Sequence, residues 1–464
     1  MAISLIAKPD SFSPAHNPLK FIYDSDNNNL SGFRYVIDVY DAGTSNKVAE
    51  YKIVPEPVNG YGEQDLSRFM QSKVESTFIP GNNTSVNTPS YTYKFDVKVG
   101  EEYVTQLNYT ASLINDSGNV EITVTHAFQI GDSVVVDAGA LNPLVSGLFT
   151  VIAINGTTSF TINALWSNVV DATENGSVKY ADNRKTIVRD LRIADTNNTV
   201  YDGAIPWAAW RTYTSAPYLL SGNADSFLST IPQEIWVTPE QDVWVMIGND
   251  SATGNMRFQN DSLDSFNIPV SNVNITTQVQ IAGSMSLTLL SGTAPLVKPT
   301  TEYYDVFFID GTPKSKTYRV HIDRRCKIEQ YEIVFKDRLG SWGSFAFQLR
   351  AYERGEVTNE TYNRDVTGTV TGSKWTYPTT DRGTVVINPQ EMRSLELNTN
   401  YMNEDMAAYF VELISSPQTF IKIGSAYYAC TIQDKAFEVS KSKNSNLIRK
   451  TINVKLANQN PING

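Results

Sequence analysis

The stretch from Gly118 to Ala164 reads GNVEITVTHAFQIGDSVVVDAGALNPLVSGLFTVIAINGTTSFTINA. Its runs at 120–125, 133–137, 148–154 and 159–163 are filled with Val, Ile, Thr and Phe, side chains that suit a pleated, half-buried surface. Between the runs stand Gly131-Asp132, Asn142-Pro143 and Asn155-Gly156, pairs whose backbone preferences make turns. A small closed β-unit of four or five strands follows from this pattern, and residues 114–177 are expected to form it as a small β-barrel.

The flanks give that unit a context. Tyr103, Thr105, Leu107, Tyr109, Ala111 and Leu113 alternate straight into it, and Val178-Lys179-Tyr180 leaves it just after Glu174-Asn175-Gly176. Hairpin tips tolerate insertions and domains have neighbouring termini, so the unit reads as a guest in a host domain. The host is an N-terminal β-sandwich of residues 1–113 plus 178–213. Phe33, Tyr35, Ile37 and Val39 alternate with Arg34, Val36, Asp38 and Tyr40, and Tyr91, Tyr93, Phe95, Val97 and Val99 repeat the period-two pattern. Asp65 stands as a cap before Leu66, Phe69, Met70 and Val74, which share one face of a short helix.

Residues 214–365 read as a central β-domain, with runs at 234–237, 243–247, 277–289, 302–309, 317–322, 327–335 and 345–352 and turns at Asp310-Gly311 and 250–254. The polar stretch 366–385 reads as a crossing into a last unit, 366–464, that holds the best helix of the chain. There Asn403 precedes Glu404 and Asp405, acids that complement the positive end of a helix dipole, and Met402, Met406, Phe410, Leu413 and Ile414 recur at helical spacing before Pro417. Strands at 420–423, 426–432, 435–439 and 449–456 follow. The expected fold class is mainly all-β, a multi-domain β-sandwich and β-barrel chain with a small C-terminal α+β domain.

Length and charge set limits on function. A chain of 464 residues exceeds one core, and a formal net charge of −11 repels polyanions, which argues against nucleic acid as a general partner. The two cysteines, Cys326 and Cys430, have no metal-site or redox spacing and read as buried thiols. The N-terminus lacks the basic start and apolar run of a signal peptide, and no eighteen-residue apolar stretch exists, so synthesis in a cytoplasm without a membrane partner is expected.

Catalytic motifs are sparse. His16, His126 and His321 occupy no triad or metal spacing, and there is no H-E-x-x-H, G-x-S-x-G, phosphate-loop or C-x-x-C motif. His321 and Asp323 alternate onto one side of a strand, where a carboxylate orients an imidazole, though a surface hydrogen-bonded pair accounts for them as well. Asp24, Asp26 and Asn28 mimic the first ligands of a calcium loop, but Asn29 stands where the loop needs Gly and Tyr35 where it needs Glu. No catalytic, cofactor or metal residue is assigned on this basis. Aromatics bunch at Trp207, Trp210 and Tyr213 and again at Trp236 and Trp244, a composition that serves a core, a subunit interface or a sugar-stacking face. Residues 435–464 carry Lys435, Lys441, Lys443, Arg449, Lys450 and Lys455 against Glu438 alone. A basic end of this kind suits head-to-tail packing on an acidic neighbour, and a plain solvated hairpin equally accounts for it.

The wording of several passages adds a resemblance. "T.THAF.IGDSV", "NPL.SG.FTV" and "NGTTSFT" resemble a small β-barrel module that recurs in structural proteins of tailed bacteriophages. The opening "SFSPAHNPLKFIYDSDN" with "GFRYVIDVY", then "DSFLSTIP" and "CKIEQYEIVFKDRLGSWGSFAF", resemble a family of phage tail or baseplate structural proteins. The resemblance implies a non-enzymatic virion protein that forms a homo-oligomeric ring or hub of the tail, baseplate or neck, touches other virion proteins, and meets DNA only where it passes a tail lumen. Its candidate contact residues are Trp207, Trp210, Arg324, Arg325, Trp342, Lys441, Lys443, Arg449 and Lys450. A receptor- or carbohydrate-binding tail protein and a polysaccharide depolymerase are the competing readings.

Overall fold

The computed structural model describes residues 3–30, 32–80, 85–87, 89–103, 107–110, 113–181, 188–219, 226–248, 254–270, 276–281, 297–325, 330–381, 383–434, 448–458 and 460–461. The chain is mainly β, as its composition implies, with several sheets and short helices. It divides into two compact units, residues 1–72 with 93–200 and residues 73–92 with 201–464.

In the first unit a five-stranded sheet runs in the order Phe12–Pro14, Val188–Tyr201, Thr92–Tyr103, Arg34–Asp41 and Lys47–Ile53. A three-stranded sheet of Ile3–Ala7, Lys20–Ser25 and Gly62–Asp65 accompanies it. Ile37 pairs with Val99 and Val39 with Val97, so the alternating apolar residues read from sequence fall into one buried layer. Phe21 of the smaller sheet meets Phe95 of the larger edge to face at 6.4 Å. The short helix is Ser67–Gln71, and Asp65 accepts hydrogen bonds from Ser67 N at 2.8 Å and Leu19 N at 3.0 Å, tying its start to the sheet.

Between two neighbouring strands of the five-stranded sheet, Thr92–Tyr103 and Val188–Tyr201, the chain makes a seven-stranded sheet. Its order is Leu113–Asp116, Asn119–Thr123, Ser159–Leu165, Gly147–Ile154, Ser133–Asp137, Gly176–Tyr180 and Leu107–Tyr109. Every strand sends a side chain into one core, from Tyr109 and Leu113 at the two ends to Val151 and Ile162 in the middle. The conspicuous sequence motifs have physical roles here. His126 and Phe128 pack with Phe160 at 4.8 and 4.9 Å, and Gly131 takes a left-handed φ of +91° that few side chains tolerate. Asn142 is wholly buried, donating to Asp171 O at 2.7 Å while its Oδ1 accepts from Val170 N and Asp171 N at 2.8 and 3.0 Å. One amide thereby pins two loops together.

The second unit departs from the expected boundaries. Residues 73–92, assigned from sequence to the N-terminal sandwich, pack with the C-terminal half. The cause is aromatic packing: Phe78 stacks on Phe420 at 4.4 Å and touches Trp342, Tyr427 and Trp244 at 4.9, 5.2 and 5.5 Å. Nearby, Ser85–Asn87 pairs with Thr276–Ile281, which pairs with Val243–Gly248. A six-stranded sheet of Glu234–Val237, Tyr318–Ile322, Tyr303–Asp310, Gly254–Asn260 and Ser265–Val270, with Thr312–Pro313 at its side, shares a core with an eight-stranded sheet.

That larger sheet runs Trp342–Phe347, Tyr331–Lys336, Thr419–Ile423, Ala426–Ile432, Thr451–Leu456, Thr384–Asn398 and Tyr352–Asn363, with Asn460–Pro461 beside Thr384–Asn398. The stretch 366–385 is therefore a hairpin tip and not a crossing, because its flanking strands pair from Tyr352↔Glu396 to Asn363↔Thr384. The boundary expected at 365/366 falls inside this one ribbon. The helix is Glu404–Ser415, with Asn403 Oδ1 accepting from Met406 N at 2.9 Å, as the sequence pattern predicts. Met402 stays outside it, bridged to Ile448. The strand expected at 435–439 lies outside the described residues.

A tight turn holds the second unit at its centre. In Asp337-Arg338-Leu339-Gly340-Ser341, Asp337 N donates to Ser341 O at 2.8 Å and Ser341 N to Asp337 Oδ1 at 2.9 Å. Three distant segments reach it: Ser76 Oγ donates to Gly340 O, Tyr91 OH to Leu339 O, and Ala204 N to Arg338 O at 2.7 Å. Gly340 has φ +80°, and a Cβ there would lie 1.7 Å from Asp202 O. Gly340→Ala is expected to lower stability by about 3 kcal/mol or more, read as an earlier urea midpoint, since strain and backbone overlap act together.

Candidate functional site

A cleft in the second unit is built on cross-strand pairing. Glu234–Val237 runs parallel to Tyr318–Ile322, which places Trp236 beside His321, and the two rings stack at 4.7 Å with planes 12° apart. On the next strand Tyr303 pairs with His321, and Arg319 lies 4.0 Å over the Tyr303 ring while Asp305 binds its guanidinium at 2.8 and 3.0 Å. Trp236 also lines a cleft of about 380 Å³ that it shares with Asp323, Arg325, Gln348, Asn400 and Tyr401. Trp236 is 39% exposed and Tyr401 60%, so both rings are open to solvent in part.

The polar groups of the cleft are already ordered. Arg325 Nε and Nη2 each lie 2.9 Å from the buried Asp323 carboxylate, and these bonds hold that carboxyl below the usual range. Gln348 bonds the same carboxylate, and Asn400 Nδ2 donates to Gln348 Oε1 at 3.1 Å. The expected His321–Asp323 partnership is corrected by this geometry: His321 stacks on Trp236 with Glu234 3.8 Å from its Nε2, and Asp323 is taken by Arg325.

Two further clusters of buried charge occupy the same unit. Lys422 Nζ bridges Asp242 at 2.9 Å and Glu332 at 3.4 Å, Asp242 N donates to Glu332 Oε1 at 2.9 Å, and Tyr427 OH donates to Asp242. Burial, with the Asp242 charge beside it, pushes the Glu332 carboxyl well above its ordinary range against the pull of Lys422. Asp337, in the central turn, takes donors from Thr230 N at 2.7 Å, Thr230 Oγ1 at 3.0 Å and Ser229 Oγ at 3.3 Å on its Oδ2. Burial still pushes its carboxyl up to about 7. Both clusters clamp segments distant in sequence together.

The hairpin missed from sequence is the third feature. Every residue of Tyr352–Asn363 is exposed, and beyond Gln390 its partner strand has no third strand beside it among the described residues. The tip pairs Thr369–Thr371 with Lys374–Thr376 and presents Val370 at 72% and Trp375 at 56% exposure, next to Tyr377. Further down the ribbon Tyr362 and Ile387 are exposed on one face and Val386 on the other. An arm of this sort has almost nothing to bury in its own chain.

The residues picked from sequence are scattered. Trp207 is exposed on the short helix Trp207–Trp210, and Trp210 stacks on Tyr213 at 5.3 Å. Trp342 is wholly buried beside Phe78, so its expected place at an interface is corrected to the core. Trp244 is likewise buried and offers no stacking face. Arg324 closes a loop by donating to Thr301 O and Lys298 O at 2.5 and 2.8 Å, and Arg325 belongs to the cleft. Arg449 is exposed and Lys450 half-buried, while Lys441 and Lys443 lie outside the described residues. Cys430 is buried, its thiol pushed up to about 11 by burial, and Cys326 is outside the described residues. Asp24 lies near the end of a strand and Asp26 and Asn28 lie in the turn after it, where the Ser25 and Asn27 side chains bond Glu101 at 2.5 and 2.9 Å. No helix among the described residues is long and apolar enough to cross a membrane.

No family profile matches this sequence, and neither does any curated protein. Among solved structures, the phage phi92 endosialidase is similar at 11% identity and a TM-score of 0.18, covering 98% of this chain and 68% of that chain. By its name that neighbour is an enzyme, and the expectation that this chain is non-enzymatic is withdrawn on that finding. Overlap at this TM-score transfers no fold, site or reaction.

Asp337 gives a pH signature. Its folded value near 7 exceeds the ordinary 3.8, so the stability linked to its proton is complete below about pH 4 and is lost as pH rises through 7. Asp337→Asn is expected to be less stable than the wild type at pH 4, through mismatched donors, and to remove a slope of up to about 1.4 kcal/mol per pH unit between pH 4 and 7 in urea melts, so that the deficit shrinks as pH rises.

Proposed function

We propose that the chain is a tail-associated virion protein of a tailed bacteriophage, made in the bacterial cytoplasm and assembled with copies of itself into a ring or hub of the tail, baseplate or neck. The exposed hairpin arm carries this reading. Two-stranded ribbons are marginal alone in water, and one that exposes Val370, Trp375, Tyr377, Tyr362 and Ile387 gains its stability by lying on another surface. The resemblance of the passages around residues 11–40 and 326–347 to phage tail proteins supplies the kind of assembly, and repeated copies supply the surface. Stable interfaces of this class bury on the order of 2,000 Å² or more.

The seven-stranded unit of residues 107–180 is, on this proposal, an inserted attachment or spacer module. Its own core and its place in sequence between two neighbouring host strands support that.

Native mass spectrometry of the purified protein and cryo-EM of the particle test the assembly reading. A closed oligomer is expected, and Val370→Ser with Trp375→Ser is expected to shift it towards monomer by at least tenfold in dissociation constant with an unchanged circular dichroism spectrum. A monomeric wild-type chain that is absent from virions would overturn it. Replacement of residues 107–180 by a short Gly/Ser turn is expected to leave one cooperative unfolding transition for the host sandwich, seen by circular dichroism; loss of that transition would show the module to be integral.

A further inference from the structure

We propose that the Trp236–Tyr401 cleft binds a neutral saccharide unit, independently of how the chain assembles. Two partly exposed aromatic side chains line the cleft, and its polar groups include a carboxylate, a guanidinium and two amides held in one hydrogen-bonded chain, Arg325–Asp323–Gln348–Asn400. A pyranose ring presents an apolar C–H face and an edge of hydroxyls, each of which gives and accepts hydrogen bonds. Aromatic rings take the face, and planar amide, carboxylate and guanidinium groups take the edge. His321 stacked on Trp236 fixes the ring in place, so little side-chain freedom is lost on binding. The cleft volume of about 380 Å³ lies within the usual range for small-ligand sites.

The charge balance selects the ligand class. Arg325 is matched by Asp323 at 2.9 Å on both bonds, which leaves the pair neutral, and Glu234 stands 3.8 Å from His321, which backs Trp236. An anionic ligand therefore meets no uncompensated cation among these groups, and a cationic one would compete with a satisfied ion pair. An apolar peptide would cover the Gln348 and Asn400 amides without hydrogen-bonding them.

The test is binding of the full-length protein to an immobilised panel of neutral hexose and N-acetylhexosamine oligosaccharides, with sialylated oligosaccharides as the anionic arm. Saturable binding to a neutral member is expected. Tyr401→Ala, at an exposed position, should weaken it at least tenfold while Tyr401→Phe keeps it within about threefold, and Trp236→Ala should abolish it. Matching circular dichroism melts for the Tyr401 variants exclude misfolding as the cause. Absence of binding to any neutral member, preference for the sialylated arm, or binding unchanged in both alanine variants would each overturn the proposal.

Discussion

Everything in the second unit converges on the five-residue turn from Asp337 to Ser341. Its backbone carbonyls at 338, 339 and 340 each accept a bond from a different part of the chain, and its carboxylate collects donors from Ser229, Thr230 and Ser341. Sheets need their edges and loops held at fixed distances, and a turn with so many acceptors does this without any large side chain. The constraint is also steric: Gly340 passes Asp202 so closely that a single carbon would collide, and Gly203 lies tightly against the Leu339 backbone. The resemblance noted at 326–347 thus falls on a segment whose residues are chemically committed.

Much of the fold was legible because burial was one-sided. Residues 234–237, 243–247, 303–309 and 318–322 follow the expected strands to within a residue or two, and Asn403 announced the helix through its side-chain bond to Met406 N. The strands Gly254–Asn260 and Ser265–Val270 went unread, since Asn255, Arg257 and Gln259 outnumber the apolar Met256 and Phe258 between which they alternate. The arm was mistaken for a crossing for the opposite reason: with both faces exposed, Tyr352–Asn363 has no apolar period to detect. Residues 73–92 were assigned by proximity in sequence, and only the three-dimensional company of Phe78 shows where they belong. Trp236 was flagged as one aromatic among several; that it is open while Trp244 and Trp342 are closed is a matter of packing, invisible to composition.

The buried charges follow one logic. Lys422 between Asp242 and Glu332, and Lys336 on Asp202 at 2.5 Å, each join strands or loops distant in sequence. A buried ion pair adds little net stability, since desolvation offsets attraction, but losing one partner is costly. Such pairs fix which segments meet more than how tightly. In a chain whose strands share the same Thr- and Val-rich composition, that discrimination matters: many wrong pairings would bury as much apolar surface.

The outer strand of the arm has one more property. Among the described residues Tyr352–Asn363 is the last strand of its sheet, so its outward N–H and C=O groups are a template for any passing strand. Along it stand Glu353, Arg354, Glu356 and Glu360, and the register slips between Thr358 and Glu360. Charges and a bulge make a poor template for indefinite strand addition. The arm can therefore expose sticky aromatic side chains at its tip while its backbone edge refuses further growth, which separates association that stops from association that does not.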